Sequence, residues 1–162
     1  YEGYEPFITF TMDEVDALAK AGADIIAADC TLRKRINNQT VEEFIQEVKR
    51  KYPDILLMAD ISNYEEGINA YKAGADILGT TLSGYTDYTE KLEGPDFNLV
   101  ENLVKAVDIP VIAEGRIHYP EQAAKMLEIG AHAVVVGGAI TRPLEITERF
   151  LEAIKEVNLW TI

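Results

Sequence analysis

Three features of this sequence predict an α/β fold on a parallel sheet, and within that class a (β/α)8 barrel. A short motif recurs, helical patterns alternate with brief apolar runs, and every apolar run ends in polar or glycine residues. The motif is Ala21-Gly22-Ala23-Asp24-Ile25, repeated as Ala73-Gly74-Ala75-Asp76-Ile77 and more loosely as Ile129-Gly130-Ala131-His132-Ala133. Each copy sets a glycine between a helical pattern and an apolar run, where a helix needs a residue able to take positive φ before a strand begins.

The elements follow in order. The spacing predicts helix 12–21, strand 24–29, helix 40–51, strand 55–60, helix 63–73, strand 76–81, helix 96–106, strand 110–114, helix 120–129, strand 133–137 and helix 143–156. Thr11 with Glu14, Thr40 with Glu43 and Ser62 with Glu65 have the spacing of capping boxes, in which the two side chains satisfy free N–H groups at a helix start. Val41, Phe44, Ile45 and Val48 form one apolar helix face, and Leu99, Val100, Leu103, Val104 and Val107 another. Pro120 and Pro143 suit first-turn positions. Phe150, Leu151 and Ile154 give the last helix its apolar stripe. The strand segments are continuously apolar and do not alternate, as in strands covered on both faces. Two long loops, 30–39 and 82–95, follow strands and are candidates for function.

The chain has 162 residues, 48% of them hydrophobic, so it can bury a core. It carries 28 acidic and 15 basic residues, a formal charge of -13, which argues against nucleic acid or an anionic membrane as partner. No apolar run approaches a membrane span and no secretory signal opens the chain. One cysteine, Cys30, leaves no internal disulfide and no multi-cysteine metal site, and a reducing cytoplasm is the expected compartment. A complete barrel takes about 200–250 residues or more. The expectation is therefore one domain, residues 1–162, forming the C-terminal part of a barrel.

The strands end at Asp29, at Asp60, at Thr80 and Thr81, at Glu114 and Gly115, and at Gly137 and Gly138. In a barrel those ends form one face, where active sites lie. A doubly wound sheet would use the same ends, but no G-x-G-x-x-G follows any strand, so a dinucleotide site has no support. Gly115, Gly137 and Gly138 stand where backbone N–H groups can approach a phosphate, and Arg142 adds a positive charge at the start of the last helix. The alternative is that the glycines only permit turns and that Arg142 pairs with a surface carboxylate. Glu114, Asp29 and Asp60 are three carboxylates on one face, an arrangement that raises at least one pKa. Thr80 and Thr81 are candidates for loop hydrogen bonds as well as for the site, and Tyr85 for a lid or a packing residue. His118 can approach a phosphate, whereas His132 belongs to the opposite end. Arg33, Lys34 and Arg35 read as a solvated basic loop, with one member able to reach an anion. Cys30 reads as a small residue at the barrel mouth.

The strings Ile25-Ile26-Ala27-Ala28-Asp29-Cys30-Thr31, Met58-Ala59-Asp60-Ile61-Ser62, Gly79-Thr80-Thr81-Leu82-Ser83-Gly84-Tyr85-Thr86, Ile112-Ala113-Glu114-Gly115-Arg116-Ile117 and Val136-Gly137-Gly138-Ala139-Ile140-Thr141-Arg142-Pro143 resemble the N-acetylmannosamine-6-phosphate 2-epimerase family, from about Tyr4 to Phe150. The resemblance implies a phosphate-binding TIM barrel. It implies interconversion of N-acetylmannosamine 6-phosphate and N-acetylglucosamine 6-phosphate by proton removal and return at C2, in sialic acid and amino-sugar breakdown, without metal or organic cofactor. It gives Glu114 and Asp29 as catalytic positions. Asp60, Thr81, Tyr85, Arg116 and Arg142 become substrate contacts, with Gly115, Gly137 and Gly138 at the phosphate. The family's acid/base lysine has no counterpart here, its position falling just before the segment that matches Tyr1 to Thr11. Phe10 and Ile36 depart from prolines common in the family.

The expected partners are a phosphosugar and, to complete the barrel, a second copy of the chain or a separate N-terminal piece. Two rival functions remain at this level. One is another phosphosugar barrel enzyme, an aldolase or ketose isomerase; an imine-forming aldolase wants a strand lysine, and none of the five strands has one. The other is a non-catalytic chain that only binds phosphosugar.

Overall fold

The computed structural model describes residues 8–35 and 38–156, and Ile36 therefore lies outside the described residues. The elements are α1 (Met12–Lys20), β1 (Ile25–Asp29), α2 (Val41–Lys51), β2 (Leu56–Asp60), α3 (Tyr64–Ala73), β3 (Ile77–Gly79), α4 (Phe97–Ala106), β4 (Val111–Glu114), α5 (Pro120–Glu128), β5 (Ala133–Val135), α6 (Gly138–Thr141) and α7 (Pro143–Glu156). The short α6 falls where the sequence reading has loop.

All five strands are parallel and ordered β1-β2-β3-β4-β5. The order never reverses, so the sheet has no switch point of the doubly wound kind, and it runs as consecutive strands of a barrel do.

Local chemistry sets the helix limits. Thr11 and Glu14 make a reciprocal capping box at α1, and Thr40 and Glu43 do so at α2. The third box differs from expectation. Asn63, not Ser62, caps α3 by accepting from the Glu66 amide, and it is Glu66, not Glu65, that reaches back, to the Ser62 amide at 2.6 Å and hydroxyl at 2.7 Å. The motif glycines Gly22, Gly74 and Gly130 all have positive φ, so α1, α3 and α5 each leave by a left-handed residue, and the next strand starts three residues on.

One sheet face packs against the helices. Ile26, Ala28, Leu57, Ala59, Leu78 and Ala113 are buried there with Val15 of α1, Phe44 and Val48 of α2, and Val100 and Leu103 of α4. The alternate residues Ala27, Met58 and Ile112 are half-buried, and Ile25 and Leu56 are exposed at 51% and 43%. The continuous apolar runs led to the expectation of cover on both faces. Among the described residues the second face stays open around Ile25 and Leu56, because five strands with two edges do not close on themselves, whereas Asp29 and Asp60 at its other end are buried.

At the β1 edge the Asp29 amide donates to the Ile8 carbonyl at 2.7 Å. Near the β5 edge, Val135, Ile140, Leu144 and Phe150 are exposed, the last two at 71% and 68%. Such a surface favours association. Size-exclusion chromatography of the isolated 162-residue chain is expected to show self-association; elution as a compact monomer would contradict this. Phe44 has no exposed surface and also supports the Arg35 guanidinium, 3.7 Å above its ring. Phe44→Ala is expected to cost about 3–5 kcal/mol of stability, read from the shift in the urea midpoint.

Candidate active site

The strand register brings the site together. Asp29 on β1 is level with Asp60 on β2, and Asp60 is level with Gly79 on β3. Gly79 is in turn level with Ile112 on β4, so Glu114 lies two residues further along, beside Thr81. With a side-chain period of two, Asp29, Asp60 and Glu114 point to the open face with Ala27, Met58 and Ile112.

Asp29 is fully buried and fully engaged. Its Oδ1 accepts from the Thr31 amide at 3.0 Å and hydroxyl at 2.7 Å, and its Oδ2 takes an ion pair with Arg33. Arg35 is also buried. It donates to the Asp29 carbonyl at 2.7 Å and the Phe10 carbonyl at 2.8 Å, sandwiched between the rings of Phe10 and Phe44. Two members of the basic cluster are thus structural anchors, which the expectation of a solvated loop missed. Cys30 is buried, and burial pushes its thiol far above the ordinary range, so it is no thiolate.

Asp60 is 1% exposed. Its carboxyl meets the Thr81 hydroxyl at 2.6 Å, and the same hydroxyl lies 3.2 Å from Glu114 Oε2. Burial pushes the Asp60 carboxyl up to about 7, the charges of Glu114 and Asp29 add to this, and the Thr81 hydrogen bond opposes it. Burial also raises Glu114, again against the Thr81 hydrogen bond. The expected rise from clustered carboxylates is present, but dehydration leads it and like-charge repulsion is secondary.

Thr80 orients Glu114 through the backbone, its hydroxyl accepting from the Glu114 amide at 3.0 Å and donating to the Glu114 carbonyl at 2.9 Å. Gly79 makes the room: a Cβ there would come within 2.6 Å of Asp60 Oδ1. Glu66 ties three loops. Its Oε1 accepts from the Leu32 amide at 2.8 Å and the Tyr88 hydroxyl at 2.6 Å, while its Oε2 holds Ser62. Sequence reasoning passed over both residues. The spacing of Glu66 from Asn63 was the available signal for one, and nothing local marked the other.

A cavity of about 380 Å3 opens beside Glu114. Eight of the ten predicted residues line it: Glu114, Thr81, Tyr85, Arg116, Arg142, Gly115, Gly137 and Gly138. Asp29 and Asp60 do not. His118 lines it, as does Glu145, which sequence reasoning missed although it sits one helical turn after Arg142. His132 is not in the wall.

Arg116 uses its guanidinium on the 82–95 loop, donating to the Ser83 carbonyl at 2.6 Å and the Gly94 carbonyl at 3.1 Å, 5.1 Å from the Tyr85 ring centre. Gly84 has φ +74° and would crowd the guanidinium at 2.9 Å if it carried a Cβ. Arg142 is exposed and paired with Glu145 at 2.6 Å, the surface carboxylate foreseen as its alternative partner. The amides of Gly138 and Ala139 open α6, where the helix itself provides them no acceptor. Among the described residues no cluster of three or more His, Cys, Asp or Glu side chains could hold a metal ion, and no helix is long and apolar enough to cross a membrane.

The raised Asp60 carboxyl has a consequence for stability. The folded chain keeps this proton up to about pH 7, whereas an unfolded aspartate releases it near 3.8. The contribution is full below the lower value and is lost as pH rises through the higher one, at up to about 1.4 kcal/mol per pH unit. Asp60→Asn is expected to flatten this decline in urea titrations run from pH 4 to pH 8.

The chain is similar to known proteins. The family model described as "Putative N-acetylmannosamine-6-phosphate epimerase" matches residues 1–156. A relative named "Putative N-acetylmannosamine-6-phosphate 2-epimerase" from Caldanaerobacter subterraneus subsp. tengcongensis is 60% identical over 156 residues, covering 96% of this chain and 66% of its own. A relative of the same name from Clostridioides difficile is 52% identical over 158 residues, covering 98% and 70%. The solved structure of the N-acetylmannosamine-6-phosphate 2-epimerase from Clostridium perfringens superposes with a TM-score of 0.85 at 51% identity, covering 94% of this chain and 66% of that one. A thiamine phosphate pyrophosphorylase from Pyrococcus furiosus, at 24% identity and a TM-score of 0.58, shares the fold alone. The chain spans about two thirds of the length of these relatives. From the strand-end strings, the sheet order and these matches together, the chain belongs to the N-acetylmannosamine-6-phosphate epimerase family.

Proposed function

We propose that the chain serves the interconversion of N-acetylmannosamine 6-phosphate and N-acetylglucosamine 6-phosphate. The carrying observation is a half-buried Glu114 with a raised carboxyl, its backbone clamped by Thr80, in the wall of a cavity that Gly137, Gly138 and Arg142 also line.

The C2 hydrogen of the ring-opened sugar lies α to the C1 carbonyl. A base takes it, the electron pair passes to the carbonyl oxygen as an enolate, and a proton returns to C2 on the opposite face. Glu114 is one of the two groups required, and burial brings its carboxyl closer to the working pH. The resemblance assigns the other to a lysine upstream of the matched segment, and none of the five described strands carries a lysine.

The amides of Gly138 and Ala139 hold the phosphate with the Gly115 turn, and Arg142 leaves Glu145 to join them. Tyr85, kept over the cavity by Arg116, covers the sugar. Arg116 acts by holding the loop, since its donors serve Ser83 and Gly94. Asp29, engaged with Thr31 and Arg33, supports the neighbouring Asp60 and does not touch the reacting carbon.

The test is proton NMR in D2O with N-acetylmannosamine 6-phosphate, on the 162-residue chain and on the parent polypeptide with any residues upstream of Tyr1. Deuterium entering C2 as the gluco epimer appears is the expected result for the parent. No exchange in either would sink the reading. Glu114→Gln is expected to slow exchange in the parent by about 10²-fold or more; full activity would remove Glu114 from the mechanism.

A further inference from the structure

Asp29 and Asp60 are level on adjoining strands, both buried, and only Asp29 is neutralised by a cation. Among the described residues no Lys, Arg or His lies in an ion pair with Asp60, and its side-chain hydrogen bond is to Thr81. The Thr81 oxygen stands 2.6 Å from Asp60 and 3.2 Å from Glu114. A hydroxyl has one proton to donate. Short of one proton split between two carboxylates, which would set two negative charges against a single donor, both contacts are hydrogen bonds at once when one carboxyl carries a proton and gives it to the threonine oxygen, which then donates its own to the other.

We propose that Thr81 is a proton relay through which Asp60 and Glu114 share a single proton. In one arrangement Asp60 is neutral and donates to Thr81, which donates to the Glu114 carboxylate. In the other, the Asp60 proton has moved to Thr81 and the Thr81 proton to Glu114. Two O–H bonds break, two form, and the trio keeps one negative charge throughout. Glu114 passes between base and acid without drawing a proton from solvent in that step.

The groups facing the trio are consistent with this. From β1 comes Asp29, whose charge Arg33 offsets, and from β3 comes Gly79, whose missing Cβ leaves Asp60 and Thr81 their space. The raised Asp60 carboxyl agrees with a retained proton. The catalytic consequence rests on the epimerase reading above, while the sharing of the proton does not. Thr81 is thus a positioning residue, beyond the substrate contact that the resemblance implies.

The test uses Thr81→Val, which removes the hydroxyl at nearly constant shape, Thr81→Ala, which removes it without branched bulk, and Thr81→Ser, which restores it. In the parent polypeptide, carbon-13 NMR follows the Asp60 and Glu114 carboxyls from pH 4 to pH 9 without substrate. In the Val and Ala variants the two midpoints are expected to draw together by roughly half a unit or more, the lower rising and the upper falling, and in the Ser variant to keep their separation; both rising together would mean that Thr81 only donates to two carboxylates and would overturn the relay. Asp60→Asn is expected to move the Glu114 midpoint with Thr81 present, and by less than half as much beside Thr81→Val. Unchanged curves, undiminished coupling, or a shift in the Val variant absent from the Ala variant would overturn the relay.

With substrate, Thr81→Val is expected to lower kcat about 10²-fold with KM within about threefold, and Thr81→Ser to recover most of it. A loss confined to KM would leave Thr81 a substrate contact only. If the unaltered parent exchanges no C2 proton, the epimerase reading fails and the carboxyl titrations decide the relay alone.

Discussion

The site depends on the register of two neighbouring strands. Parallel pairing sets Asp29 level with Asp60 at the ends of β1 and β2, in a layer that excludes water. Two adjacent buried carboxylates repel each other and each loses hydration, so the fold must treat them differently. Arg33 and Thr31 satisfy Asp29 as an ion. Among the described residues Asp60 receives only a hydroxyl. From this inequality follow the raised Asp60 carboxyl, the place of Thr81 between two acids, and the need for glycine at position 79.

The loops that carry these groups are held as firmly as the strands. Glu66 accepts hydrogen bonds from the segments after β1, β2 and β3, and Arg116 fastens both ends of the 82–95 loop by their carbonyls. A buried carboxylate with four donors and a guanidinium on two carbonyls are strong, directional anchors. The cavity wall is therefore set before any ligand arrives, which limits the reorganisation that a developing negative charge would otherwise demand. Arg142 differs, since its partner Glu145 is near the surface and the pair is screened by water.

Local signals made the fold legible. Capping residues, motif glycines and apolar helix stripes each act within a turn or two, and they located eleven of the elements; α6, four residues long, had no periodic pattern to reveal it. The cavity was legible because barrel chemistry gathers at strand ends, where Glu114, Thr81 and Gly137 stand in plain order. What escaped depended on register and loop path. That Arg33 would turn back on Asp29, that Arg35 would sink between Phe10 and Phe44, and that Glu66 and not Glu65 would reach Ser62 are outcomes of three-dimensional packing. The open part of the sheet escaped for the same reason: an apolar run shows that a strand prefers cover, not that the described residues supply it.

The unreversed strand order bears on how the chain folds. Each strand pairs with the next one in sequence, so no pairing waits for distant segments to meet, and the chain entropy lost in closing each loop stays moderate. Assembly can then grow outward from a small nucleus of adjacent β/α units, with β2 and β3 flanked on both sides and the outer strands added last. Amide hydrogens of the central strands would then outlast those near β5 in exchange with solvent, giving a gradient of persistence across one sheet.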